Sequence, residues 1–240
     1  MKTTKIALLS LICFCVYNQG IAQHFVPPVS TYSHQKVSYL YLEDGTEVIG
    51  TIKDLDRKKG QLEEVKILDQ NDKKVNFEGD EIAYMYLPPS GLDKFASATD
   101  FMNDATQWGK TDLDADILGK EYVYLEKSEV RVKKKTFTLM MQVVNPTFCE
   151  LIRVYHDPLA SETMSVGVAG ITVVGGLDKS YYVKKAGDEV AFIVEKKSYD
   201  EQFKLIFSDC PELIAKYKEG LRWADFPTHV WEYAQLCGQE

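Results

Sequence analysis

Residues 36–55 read KVSYLYLEDGTEVIGTIKDL, and the parsing of this run decides the fold. Val37, Tyr39 and Tyr41 alternate with Ser38, Leu40 and Leu42, the period of a strand whose two faces differ. Glu43-Asp44-Gly45-Thr46 follows with the Asp-Gly pair that favours a tight hairpin turn, and Val48 to Leu55 runs back. A second pair comes directly after: Leu62 to Leu68, a polar turn over Asp69–Lys74, and Val75 to Leu87 ending at Pro88-Pro89. Short strands in quick succession with no helix between them predict a small curled sheet or barrel over residues 36–89.

Two stretches of this region, LEDGTEVIGTI and FEGDEIAYMYL, resemble by pattern the small SH3-like and Sm-like barrels. That likeness implies a fold and no activity, because such barrels host many functions.

The pattern changes after Pro89. Phe95, Ala98, Thr99, Met102, Ala105 and Thr106 fall at helical spacing behind Ser90 or Asp93 as a cap, which predicts a helix from Leu92 to Trp108. That helix and the acidic segment GKTDLDADILGKE make residues 90–118 a link to a second β region. Its strands are expected at Tyr122–Glu126, Val130–Val144, Cys149–Tyr155, Ile171–Val174, Ser180–Lys185 and Glu189–Glu195, with turns at Asn145-Pro146, Asp157-Pro158, Gly175-Gly176 and Ala186-Gly187-Asp188. Two helices close the chain. The expected fold is therefore α+β: a small barrel-like sheet, a linking helix, a second, mostly antiparallel sheet over residues 119–240, and a C-terminal helical hairpin.

The first 22 residues, MKTTKIALLSLICFCVYNQGIA, pair two lysines with an apolar run and small residues at its end, the arrangement of a secretory signal peptide cut after Ala22. The apolar run falls short of the ~20 residues that a membrane span needs. Neither Cys13 nor Cys15 follows the small residue that lipidation would require, so no anchor is expected after cleavage. Residues 23–35, with two prolines and no periodicity, read as an extended lead-in. Loss of Lys2 and Lys5 leaves 26 of the 28 basic residues against 36 acidic ones, a net charge of −10. An exported acidic chain is unsuited to nucleic acid. Cys149, Cys210 and Cys237 remain, which in an oxidising compartment means one bridge and one leftover thiol.

The bridge is read from FSDCPELIAKYKEG, residues 207–220. Asp209 reads as an N-cap, Pro211 occupies the first turn, Glu212 completes a capping pair, and Gly220 stops the helix. The last helix repeats the scheme with Asp225, Pro227 and Gly238. Packed antiparallel, the two helices place Cys210 beside Cys237. The competing reading is a reactive thiol, since a helix N-terminus lowers a cysteine's pKa; no Cys-x-x-Cys accompanies it.

YYVKKAGDEV, FSDCPEL and a final helix ending in cysteine are together similar to uncharacterised exported proteins of Bacteroidota. The similarity spans about the last quarter of the chain, and Ala234 departs from it where an asparagine commonly follows the tyrosine. It implies export and a shared module, and it carries over no activity and no site residues.

Other constellations point to little chemistry. Asp112, Asp114 and Asp116 begin like a calcium loop, but Ile117 stands where glycine is needed and Val123 where glutamate is; a solvated acidic loop results. Cys149 and His156 on one strand would lie roughly 20 Å apart on opposite faces, too far for a dyad. His24, His34, His156 and His229 are scattered, with no metal-binding spacing. No Gly-x-Ser-x-Gly elbow or dinucleotide fingerprint occurs, and the glycine-rich run over residues 166–176 reads as an apolar hairpin. Arg131, Lys133, Lys134 and Lys135 form one basic patch, read either as a solvated strand edge that discourages mispairing or as a contact for an anionic glycan or lipid headgroup. Tyr39, Tyr41, Tyr84, Tyr86, Tyr122 and Tyr124 alternate along strands and read as core, or if exposed as a surface for sugars or peptides. The expected function is a non-enzymatic interaction module of the cell envelope, without cofactor or metal, whose partner is an envelope protein, a lipid or a glycan. The alternatives are a hydrolase using carboxylates between Asp112 and Glu121, and a lipid- or glycan-binding protein using the basic patch.

Overall fold

The computed structural model describes residues 24–58, 61–90, 108–158 and 177–237. The expected signal peptide, the glycine-rich run, the strand at residues 171–174 and all of the helix expected from Leu92 to Trp108 except Trp108 itself lie outside the described residues. Five strands come first: β1 (Ser38–Leu42), β2 (Glu47–Lys58), β3 (Gln61–Asp69), β4 (Lys74–Glu78) and β5 (Ile82–Leu87). The β1–β2 turn rests on Gly45 at φ +84° and on the Asp44 carboxylate, which accepts the Thr46 N–H at 2.9 Å. That geometry is what the Asp-Gly pair supplies.

Five more strands follow: β6 (Val123–Val132), β7 (Lys135–Gln142), β8 (Ile152–His156), β9 (Ser180–Lys185) and β10 (Val190–Glu195). All ten belong to one sheet ordered β4-β3-β2-β1-β5-β6-β10-β9-β8, with β7 also paired to β6. The separate N-terminal barrel expected over residues 36–89 does not form, and the two expected sheets are one. The cause is the length of β6. One of its edges pairs antiparallel with β5 through Val123–Glu126 and then parallel with β10 through Glu129–Arg131, while its other edge pairs with β7. Thus β5 finds its neighbour in β6 rather than closing on the first four strands.

Beyond β7 the chain turns through a short 3-10 segment, Pro146–Phe148, into β8. Asn145, with no exposed surface, braces this corner. Its amide donates to the Ile152 carbonyl at 2.8 Å and the Phe148 carbonyl at 3.2 Å, and its Oδ1 accepts the Val154 N–H at 2.8 Å.

Helix α1 (Ala115–Leu118) is one turn long; α2 (Tyr199–Ile206), α3 (Pro211–Lys216) and α4 (Phe226–Leu236) form the C-terminal segment. They pack on the side of β8–β10 that carries Ile152, Val154, Tyr181, Val183 and Val194, in a cluster with Phe203, Phe207, Phe226 and Val230. Tyr155, Tyr182 and Ala191 point the other way, into the larger cluster beneath β1–β7. The three strands are therefore buried on both faces, and their near-continuous apolar sequences follow from that.

Helices α3 and α4 bring Cys210 and Cys237 together as a disulfide pair, with Cα atoms 6.0 Å apart. The caps differ from expectation. Cys210 itself stands at the N-cap position of α3, with no side-chain cap. Asp209 turns instead to the Lys185 ammonium and accepts the Tyr233 hydroxyl at 2.8 Å. A cationic partner and a phenol compete better for that carboxylate than a backbone N–H at the helix mouth. Asp225 is likewise taken by the Arg222 guanidinium, two contacts of 2.7 Å each.

Candidate functional site

The basic residues converge on one hairpin. Sequence reading placed Arg131 to Lys135 inside a strand running from Val130 to Val144, whereas the chain reverses at Lys133-Lys134 between β6 and β7. Val132 pairs with Lys135, Arg131 with Thr136 and Val130 with Phe137. The turn carries none of the usual glycine, asparagine or proline. Lys133 adopts φ +57°, the left-handed region that lysine rarely occupies. Arg131 and every residue from Lys133 to Thr138 are exposed, while Val132 packs against the core and Val130, paired with Phe137 on the same face, has no exposed surface.

None of the four cations forms an ion pair among the described residues. Lys66 by contrast sits among Asp54, Asp56 and Glu64, Lys127 reaches Glu43, and Lys216 reaches Glu232. In an acidic chain these four charges in five positions form an unneutralised point of positive potential. Phe137, 42% exposed, shares the ribbon face of Val132 and Lys135; Glu129, Arg131 and Thr136 lie on the other face.

A second cluster, invisible in the sequence, lies at the root of this hairpin. Glu126 on β6 is largely buried and accepts hydrogen bonds from Tyr124 at 3.0 Å and Tyr155 at 2.5 Å. Arg153 on β8 bridges Glu126 and Asp112. Burial and the Glu126 charge both push the Tyr155 phenol upward, so it remains a donor. Every charge here has a partner, and the arrangement locks β6 to β8 instead of offering a reactive group.

The remaining candidates are occupied structurally. Cys149 is fully buried, and burial pushes its thiol up to about 12. It packs as expected of a small core residue, with Thr111 Oγ1 at 3.4 Å. His156 pairs with Asp178 at 2.9 Å. Asp112 serves Arg153, and Asp114 caps α1 by accepting the Ile117 N–H at 2.9 Å. Groups of acidic, histidine and cysteine side chains able to hold a metal ion are absent among the described residues.

The tyrosines divide. Tyr86, Tyr122 and Tyr124 are buried. Tyr41 and Tyr84 are half-buried and stack on each other at 4.5 Å, and Tyr41 donates to Glu47 at 2.8 Å. Each therefore spends one ring face on the other.

His229 carries a measurable consequence. The ring has no exposed surface, shares a 2.7 Å hydrogen bond with the Tyr199 hydroxyl, and lies 4.2 Å from the Tyr217 ring. Burial lowers its pKa from 6.5 to about 4, against the opposing pull of Asp225 and Glu232. The unfolded chain therefore binds the proton more readily between those values. The stability that neutral His229 contributes is complete above pH 6.5 and is lost as pH falls toward 4, on the order of 3 kcal/mol. Urea unfolding at pH 7 and pH 4 should show this difference, and His229→Leu should remove that part of the pH dependence. An unchanged slope in the variant would assign it to the carboxylates.

The chain matches no protein-family model, no curated protein and no solved structure.

Proposed function

We propose that the protein is an exported, non-enzymatic binding module of the cell envelope and that the tip of the β6–β7 hairpin takes an anionic partner. The observation that carries this reading is the set of unpaired cations, Arg131, Lys133, Lys134 and Lys135, on a projecting ribbon of a chain whose net charge is −8. The left-handed Lys133 adds to it, because a strained residue kept at a turn that glycine would fit better suggests selection for its side chain. Two features are compatible with export: the Cys210–Cys237 pair, and the lack, among the described residues, of a helix long and apolar enough to cross a membrane.

Retention on a sulfated polysaccharide resin tests the reading. The chain should be held at about 50 mM salt and released as rising ionic strength shortens the screening length. Lys133→Glu/Lys134→Glu/Lys135→Glu should pass through unretained with an unchanged melting temperature. Lys133→Gly is the sharper variant, expected to stabilise the fold by roughly 0.5–1 kcal/mol through relief of the left-handed lysine while weakening retention. If the triple reversal is retained like the parent chain, the hairpin is not the binding element.

A further inference from the structure

We infer that the anionic partner of the β6–β7 hairpin is a lipid bilayer surface, met by the outer end of the ribbon, where Phe137 and Lys135 share one face. The inference rests on the hairpin being the binding element. Charge alone would suit any polyanion; the distinguishing feature is Phe137, a large apolar ring left 42% exposed among lysines. A sulfated or phosphorylated glycan offers such a ring at most the C–H face of one sugar, with no apolar layer for it to enter. The boundary between headgroups and acyl chains offers both an anionic layer and an apolar one a few ångströms below it.

The register sets the orientation. Phe137 lies three positions behind Lys134, so a tip-first approach would drive Lys133 and Lys134 about 10 Å deeper than the ring. Tilted so that Phe137 leads, the outer end of the ribbon sets that ring toward the acyl boundary, while Lys133, Lys134 and Lys135 extend their stems and keep their ammonium groups among the phosphates; Val132 stays packed on the core. The same placement puts Glu129 on the face turned away from the anionic surface, together with Arg131. The inference thus ranks the cations: Lys135 on the docking face should matter more than Arg131 on the far one.

The test is sedimentation of the full chain with phosphatidylcholine vesicles, with and without about one third phosphatidylglycerol, run beside the sulfated resin. Binding is expected only to the anionic vesicles. The triple lysine reversal should weaken it by at least ~100-fold, from about fivefold for each charge near such a surface. Phe137→Ser should weaken vesicle binding about tenfold while leaving resin retention unchanged. Lys135→Glu should cost more than Arg131→Glu. Phe137→Trp, read as the difference from the three native tryptophans, should shift to the blue on anionic vesicles and be quenched by brominated acyl chains.

If the resin retains the chain but anionic vesicles do not, or if Phe137→Ser binds vesicles like the parent, the lipid assignment is overturned, the anionic reading survives, and a glycan becomes the partner. Failure on both resin and vesicles sinks both.

Discussion

Asn145→Leu is expected to lower the unfolding free energy by about 4 kcal/mol, the largest loss from any single substitution considered. The side chain has no exposed surface and satisfies two carbonyls and one N–H. Leucine nearly matches its volume and removes all three bonds. Each backbone group left buried and unpaired costs roughly 1–3 kcal/mol, and burying a more apolar side chain returns about 1 of that. Asn145→Asp provides the companion measurement: it keeps the acceptor for Val154 but sets a carboxylate against two carbonyl oxygens, so it should be no more stable than the leucine variant. Chemical denaturation of both reads the result directly. A loss below 1 kcal/mol for leucine would mean that β8 finds other partners when the brace is gone.

The second large effect is at the disulfide. Reduction, or Cys237→Ser, should cost about 3.5 kcal/mol, because the bond spans a sequence separation of 27 and its loss frees that loop in the unfolded chain. Native protein should also show no reactive thiol: Cys210 and Cys149 have no exposed surface, and burial holds the Cys149 thiol protonated. Of Cys149, Cys210 and Cys237, peptide mapping after alkylation should find none modified in the folded chain, Cys149 alone after unfolding without reductant, and all three after unfolding with reductant. If Cys210 alkylates in the folded state, the staple account is wrong and the reactive-thiol reading returns.

What the sequence made legible follows the reach of local chemistry. The Asp44-Gly45 turn and the alternation around it were readable because four consecutive residues decide them. The Cys210–Cys237 pairing was readable because two adjacent helices joined by a short connection have few ways to pack. The Lys133-Lys134 reversal was not, since it carries no turn residue and the ladder on either side holds it. The single sheet was hidden for a related reason: nothing within Val123–Val132 announces that its one edge will serve both β5 and β10. The Glu126–Arg153–Asp112 cluster joins residues 27 and 41 positions apart, and Asn145 looked like an ordinary Asn-Pro turn. The misplaced cap at Asp209 has a tertiary cause, because Lys185, far upstream, decides where its carboxylate goes, whereas Asp225 keeps its N-cap position and loses its carboxylate to Arg222 three residues away.

The double use of β6 also governs the order in which the molecule can assemble. A chain synthesised N-terminus first can pair β1 to β4 hairpin by hairpin, each closure spanning only a short loop; β5 then returns to β1, Tyr86 beside Tyr39, and β7 can zip onto β6 as soon as it emerges. The outer half of the free β6 edge must wait for Val190, 61 positions after its partner Glu129, and that pairing is parallel. Loop-closure entropy makes such late, distant pairings slow. Until then Glu129–Arg131 present open backbone groups, and the one acidic and one basic charge among those three residues discourage a neighbouring chain from completing the strand first.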